Sequence, residues 1–300
     1  MAWSRFAGVL TILVILGAGS APSAAEDKKP AEPKPDAPAK EMFGAKKLPA
    51  SLQARAIGFY AKGCLAGAVA LPINGETWQV MRLSRNRNWG HPSLVTMLER
   101  LAKQVPKVAG WPGLLVGDLA QPRGGPMLTG HASHQIGLDA DVWLTPMPDR
   151  VLTPQEREDI AATSVVASDW KDVDPNVWTR GHTAVIKAAA KEPEVERIFV
   201  NAAIKKALCR DAGSDRGWLH KVRPYWGHYY HFHIRMRCPK DNADCTGQPP
   251  APDGEGCAAA DLAFWFSDAV LMPKPKPKGP QRQMKLSELP PACRQVLMAP

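Results

Sequence analysis

The stretch Gly227-His228-Tyr229-Tyr230-His231-Phe232-His233-Ile234-Arg235-Met236 decides how this chain is read. Aromatic residues dominate it and Arg237-Cys238-Pro239 ends it, so a strand is predicted from His228 to Met236. Side chains two apart on a strand share a face. His231 and His233 therefore look into one cleft, while Phe232 and Ile234 turn into the core.

A second cluster lies far upstream, Gly130-His131-Ala132-Ser133-His134-Gln135-Ile136-Gly137-Leu138-Asp139-Ala140-Asp141. Asp139 and Asp141 share a face by the same rule. With His220, these two segments hold six of the chain's eight histidines. An isolated histidine is usually an ordinary hydrogen-bonded residue; such clustering points to a metal.

Outward from these clusters, Leu94, Val95, Leu98, Leu101, Ala102 and Val105 recur at helical spacing behind Pro92, which predicts an amphipathic helix over 92–105. Gly113–Gly117 and Leu138–Leu144 read as strands. Thr153 with Glu156 has capping-box spacing, and Thr179–Lys191 and Pro193–Leu208 carry helical patterns. His91 is placed at a helix entry and His182 on a helix surface. The composite is an α+β fold, a single domain over 48–270 in which a small antiparallel sheet carries the metal site and is flanked by helices.

The ends differ from this middle. Arg5 precedes an apolar run from Phe6 to Gly17 and small residues up to Ala25. That run is short for a membrane span and reads as a secretory signal peptide over 1–25, cleaved after Ala25. Export to the periplasm, with no lasting membrane insertion, follows. Residues 26–47 read as a Pro/Lys-rich linker, and 271–300 as a C-terminal tail, Pro/Lys-rich over 273–285, tied back by Cys293. Many of the lysines behind the formal charge of +9 sit in these segments, so the charge does not call for nucleic acid.

An oxidising compartment makes the six cysteines three disulfides, and no Cys-x-x-Cys pair suggests otherwise. Cys238–Cys245 is the local bridge. Cys64, Cys209, Cys257 and Cys293 allow three pairings that spacing cannot separate; a nested set, Cys209–Cys257 and Cys64–Cys293, is expected.

A catalytic zinc takes three protein ligands from His and Asp/Glu and leaves a fourth position to water. His134, one of Asp139 and Asp141, and one of His231 and His233 supply that set, and the residue types alone do not choose between members of each pair. There is no His-Glu-x-x-His helix and no Gly-x-Ser-x-Gly elbow.

The run from His134 through Gly137 to Asp141, with the later His231-Phe232-His233, resembles the lysostaphin and D-Ala-D-Ala metallopeptidase group. Gly117-Asp118, Gln121-Pro122-Arg123-Gly124-Gly125-Pro126, Gly130-His131-Ala132-Ser133-His134-Gln135 and Lys221-Val222-Arg223-Pro224 followed by Trp226 resemble, more narrowly, the penicillin-insensitive murein endopeptidases. The resemblance implies zinc on His134, Asp141 and His233; His131, at His-x-x-His spacing from His134, is a candidate for a further ligand or for a hydrogen bond that orients the ligands. It implies His231 as catalytic base, His228 as a further active-site histidine, and Asp139 in a supporting role. A second metal position described for the family has no clear match near Asp169 and Asp172.

The implied activity is hydrolysis of D-alanyl-meso-diaminopimelyl cross-links of peptidoglycan, the expected partner, by a zinc-activated water with a histidine base. A D,D-carboxypeptidase using the same ligands, and a non-catalytic zinc- or murein-binding periplasmic protein, are the alternatives. Arg123 and Arg223 are candidates for binding stem-peptide carboxylates or for plain salt bridges. Trp218, Tyr225, Trp226, Tyr229 and Tyr230 are candidates for lining a groove or for ordinary core.

Overall fold

The computed structural model describes residues 1–3, 8, 34–272 and 282–300. The chain divides into two compact units, Met1–Glu32 and Pro33–Pro300. The expected signal peptide falls almost wholly outside the described residues, as do the linker before residue 34 and the run 273–281. Among the described residues, no helix is long and apolar enough to cross a membrane.

Within Pro33–Pro300 the elements run α1 (Ala39–Gly44), β1 (Arg55–Phe59), β2 (Lys62–Ala66), β3 (Val69–Ala70), β4 (Asn74–Gly75), β5 (Trp78–Val80), β6 (Trp89–Gly90), α2 (Pro92–Ala109), β7 (Leu114–Val116) and β8 (Asp139–Pro146). There follow α3 (Pro154–Asp159), α4 (Arg180–Lys191), β9 (Val195–Val200), α5 (Ala202–Asp211), β10 (Val222–Pro224), β11 (His231–Met236), α6 (Ala259–Ala263), α7 (Asp268–Leu271) and α8 (Ala292–Met298).

The fold is mixed α and β. Its main sheet has seven strands in the order β10-β9-β11-β8-β7-β5-β4. The centre is antiparallel, as expected, with β11 paired to both β8 and β9. The sheet is larger than the sequence suggested and not wholly antiparallel, since β10 runs parallel to β9 and β5 parallel to β7. The β11–β8 register sets His233 opposite Asp141 and Arg235 opposite Asp139. Facing residues on paired strands stand roughly 5 Å apart at Cβ, so this register brings the two motifs into one place.

One face of the sheet is apolar. Ala140, Val142 and Leu144 of β8 and Phe232, Ile234 and Met236 of β11 share a buried cluster with Leu94, Leu98 and Leu101 of α2 and Val185 and Ile186 of α4. His91 caps α2, its Nδ1 accepting the Ser93 amide, and Thr153 with Glu156 forms the expected capping box.

Four sequence expectations are corrected. The helical pattern over 193–208 is a strand, β9, and then α5; Val195, Ile198 and Val200 are buried between neighbouring strands, so tertiary burial overrode the helical spacing. The strand predicted from His228 starts only at His231, because Gly227 and His228 both have positive φ and make a turn. His182 is buried rather than on a helix surface: Nδ1 accepts the Thr179 amide and Nε2 donates to the Leu144 carbonyl. Residues 39–43 and 286–297, read as linker and tail, supply Ala39, Phe43, Leu286, Leu289, Val296 and Leu297 to a second core with Ile57 and Cys64. Short apolar patches in Pro/Lys-rich context failed to register as core because their partners, each other and Ile57 and Cys64, lie far away in the chain.

The three disulfides are those expected, Cys64–Cys293, Cys209–Cys257 and Cys238–Cys245. The first ties α8 to β2 across a separation of 229 residues.

Candidate metal centre

Asp141 projects from β8 opposite His233 of β11 and is the hub of the site. Its Oδ1 lies 3.3 Å from His233 Nδ1, 3.5 Å from His134 Nε2 and 3.7 Å from His231 Nε2. Its Oδ2 lies 3.5 Å from His131 Nε2. His131, His134 and Asp141 each offer one donor atom within 4.8 Å of the others, the only such group of three or more among the described residues.

The donor chemistry fits a cation. His134 is fully buried, yet neither of its ring nitrogens has a hydrogen-bond partner, and neither does Asp141 Oδ1. Leaving such groups unsatisfied costs roughly 1–3 kcal/mol each. Asp139 Oδ1 accepts from His233 Nε2 at 3.0 Å, so whenever the ring is neutral its proton lies there and the Nδ1 lone pair faces Asp141. Two acceptors, Nδ1 and Oδ1, then face each other and repel unless a positive charge lies between them. Ligand atoms each about 2.0–2.1 Å from a tetrahedral zinc stand about 3.3–3.4 Å apart. The His233–Asp141 separation of 3.3 Å and the His134–Asp141 and His131–Asp141 separations of 3.5 Å lie near that spacing rather than at hydrogen-bond length.

The local backbone is shaped for this. His134 has φ of 66° and His228 of 54°, a left-handed conformation costly for a non-glycine residue and concentrated at functional sites. The Asp139 carboxylate holds His134 in place by accepting its amide, with Oδ2 to N 3.0 Å. At Gly137, φ 70°, a Cβ would meet the His91 amide nitrogen at 2.9 Å and a Leu65 methyl at 2.4 Å, so only glycine closes the turn between His134 and Asp139.

Electrostatics follow from the packing. Burial opposes ionisation of Asp141, but His231 and His134 outweigh it and hold the carboxyl well below the usual range. Asp139 moves the same way, burial being overcome by Arg235 and His233. Burial and then Asp139 act in opposite senses on His233, and its ring is held above its ordinary value. Burial lowers His231 despite Asp141, and burial with the neighbouring His233 and His231 pushes His228 down to about 3. His231 and His228 are accordingly neutral near pH 7.

His131 is tethered elsewhere as well, with Nε2 3.0 Å from Asp118 Oδ2. That same oxygen takes Arg87 at 2.8 Å and Arg85 at 3.0 Å. Burial would raise Asp118, but His131 and these arginines bring it down to about 2. His228 Nδ1 lies 2.7 Å from the Trp226 carbonyl, which only accepts, so Nδ1 carries the hydrogen and Nε2 is an acceptor.

Two residues of the site escaped the sequence reading. Asp118 drew no role because its partners, Arg85, Arg87 and His131, are scattered along the chain. Arg235 donates Nε to Asp139 Oδ1 at 2.8 Å and stacks over Tyr60; strand alternation already put it on the His233 face. Arg123 and Arg223 stay outside the site, spending their guanidinium groups on the Val296, Leu297 and Ala299 carbonyls and on those of His220 and Gly254.

Two clefts meet at the histidines. One of about 280 Å³ is lined by Asp141, His131, His231, Tyr230, Arg85 and Trp143. The other, about 390 Å³, is lined by His131, His228, His233, Tyr225, Phe199 and Ser133. A larger open cleft of about 950 Å³ beside α4, at Trp178 and Arg210, touches none of the clustered histidines and lacks their chemistry.

The model of the family described as penicillin-insensitive murein endopeptidase matches residues 56–298. The chain belongs to this family. It is 47% identical over 249 residues to the penicillin-insensitive murein endopeptidase of Haemophilus influenzae, covering 83% of this chain and 84% of that protein. The enzymes of the same name from Klebsiella pneumoniae subsp. pneumoniae and Escherichia coli O6:K15:H31 are 44% and 43% identical over 244 residues, each covering 81% of this chain and 86% of the relative. The family match takes in both histidine clusters and extends through α8, in keeping with a folded unit that includes the C-terminal segment.

Proposed function

We propose that this member of the murein endopeptidase family is a zinc-dependent hydrolase of peptidoglycan cross-links, cutting the D-alanyl-meso-diaminopimelyl bond in the periplasm after removal of a signal peptide over residues 1–25. The observation that carries the metal dependence is the buried His134, with both ring nitrogens unpartnered beside the bare Oδ1 of Asp141.

His134, Asp141 and His233 are the proposed ligands, His233 through Nδ1. His131, whose Nε2 lies 3.0 Å from Asp118 and 3.5 Å from Asp141, is a candidate further ligand. Bound zinc supplies a Lewis acid for the scissile carbonyl and a water acidified toward about pKa 7. His231, neutral and within 3.7 Å of Asp141, accepts the proton of the attacking water and returns it to the leaving amine. His228 presents Nε2 as an acceptor and orients an N–H or O–H of the substrate; it donates to an oxyanion only once protonated. Asp139 holds His233 and the His134 amide in register.

The clefts on both sides of the histidines suit a substrate that continues past the scissile bond in both directions, which favours an endopeptidase over a D,D-carboxypeptidase. The test is cleavage of purified cross-linked muropeptide dimers by the oxidised protein, with zinc, with a chelator and with His231→Ala. Chelator-sensitive release of monomers, abolished by His231→Ala while zinc stays bound, is expected. Full zinc occupancy with no murein substrate cleaved would assign the chain a binding role, and release of terminal D-Ala alone would assign it the carboxypeptidase.

A further inference from the structure

Four aromatic side chains of Pro33–Pro300 are exposed among the described residues, Trp170, Tyr225, Trp226 and Phe264, and they gather at one place. Trp170, Tyr225 and Trp226 line a cleft of about 290 Å³ with Trp265. Phe264 meets Trp226 edge-on, with ring centroids 6.3 Å apart. Single exposed apolar residues are ordinary, but a contiguous exposed aromatic patch marks a binding surface.

The cleft is built, not incidental. Trp226 stands edge to face on Trp265 at 5.4 Å, and Trp170 on Tyr229 at 5.1 Å. Trp170 is held at φ 61°, a left-handed conformation that a bulky residue adopts only when its surroundings enforce it. Asn201 ties the floor, its Nδ2 donating to the Gly227 carbonyl and its backbone amide to that of His228.

Its chemistry selects an occupant. No charged side chain lines the cleft, and Ala202, Val270 and Leu271 give it an apolar rim. The indole N–H groups of Trp78, Trp89, Trp178 and Trp218 are all bonded within the protein. For those of Trp170, Trp226 and Trp265, and of the buried Trp111 and Trp143 elsewhere, no acceptor is found among the described residues. Flat apolar faces with unspent donors at their edges match a neutral pyranose, whose C–H face stacks on indole while its hydroxyls accept. A wholly apolar ligand would leave those donors idle.

The cleft also continues into the metal centre. Tyr225 lines both this cleft and the one holding His228 and His233, and its ring lies 5.8 Å from that of His228. We propose that the Trp170/Tyr225/Trp226/Trp265 cleft binds N-acetylated sugar rings of the glycan strand, so that the attached peptide is led past Tyr225 to the histidines. This rests on the murein reading above.

The test separates the two readings. Oligomers of N-acetylglucosamine, neutral throughout, are titrated into the full chain and followed by tryptophan fluorescence. Saturable binding by the wild type, weakened at least tenfold by Trp265→Ala and largely kept by Trp226→Phe, is expected. In a cleavage arm, Trp265→Ala brings the KM ratio between sugar-free and sugar-bearing cross-linked dimers toward one. The proposal is overturned by absent saturable binding, by wild-type affinity in Trp265→Ala, or by a trileucine peptide that binds the cleft more tightly than the sugars. If the wild type cleaves no murein substrate, the activity reading falls while the titration still decides the cleft.

Discussion

His233 stands between two carboxylates, giving Nε2 to Asp139 at 3.0 Å and facing Asp141 with Nδ1 at 3.3 Å. Asp139 thereby sets which ring nitrogen is bare. Carboxylates in this role tune metal affinity by roughly 10–100-fold. Asp139→Asn, which keeps the shape but weakens the acceptor, is expected to loosen zinc by about that factor in a chelator-competition titration. Unchanged affinity would remove Asp139 from the site.

On the proposed ligand set, with His134 among the ligands, the folded state binds zinc better than the unfolded chain does. Zinc at about 100 times its Kd adds roughly 2.7 kcal/mol. In a domain of this size that raises Tm by several degrees, reversed by chelation. A His134→Ala protein is expected to show no zinc-dependent shift in calorimetry. A full shift in that variant would place the ion elsewhere.

Arg123 closes the second core. The residue is 5% exposed; its guanidinium donates to the Val296, Leu297 and Ala299 carbonyls at the end of α8, and Nε donates to the Leu48 carbonyl. Arg123→Met strips several buried carbonyls of their donor and is expected to cost about 2–4 kcal/mol in urea unfolding under oxidising conditions. A loss under about 0.5 kcal/mol would mean that the Cys64–Cys293 bridge alone holds α8.

Lys205 is buried, with Nζ donating to the carbonyls of Leu219 at 2.9 Å and Glu255 at 2.5 Å. Burial, helped by Arg223, brings its pKa down from 10.5 to about 7. Between pH 7 and 10.5 the unfolded chain keeps this proton while the folded protein releases it, so stability rises with pH across that window, by up to about 1.4 kcal/mol per unit. Lys205→Met is expected to flatten the rise between pH 7 and 9 in denaturant titrations. An unaltered slope would show that other groups cause it.

Much of the site was legible because strand alternation and ligand chemistry are local. His231 with His233, and Asp139 with Asp141, each had to share a face whatever the rest of the fold did. The α2 helix, the Thr153 cap and the Cys238–Cys245 bridge were readable for the same reason, since neighbours within a few residues specify them. Pro193–Leu208 was misread because the spacing of its apolar residues suits a helix, and only burial between β10 and β11 makes Val195–Val200 a strand.

The sequence by itself determined that His and Asp residues with the donor chemistry of a metal site cluster in two segments, and that His231 with His233 and Asp139 with Asp141 share strand faces, because side-chain direction along a strand is a property of the local backbone. Only the tertiary structure decided which members of each pair face each other. The β11–β8 register puts His233, not His231, opposite Asp141, and leaves Asp139 to Arg235 and the far side of His233. It also decided that Arg123 serves α8 rather than a substrate, and that Trp170 joins Trp226 and Trp265 in one cleft. Those contacts join residues far apart in the chain, so their free energy appears only when the whole core closes, and no local pattern encodes it.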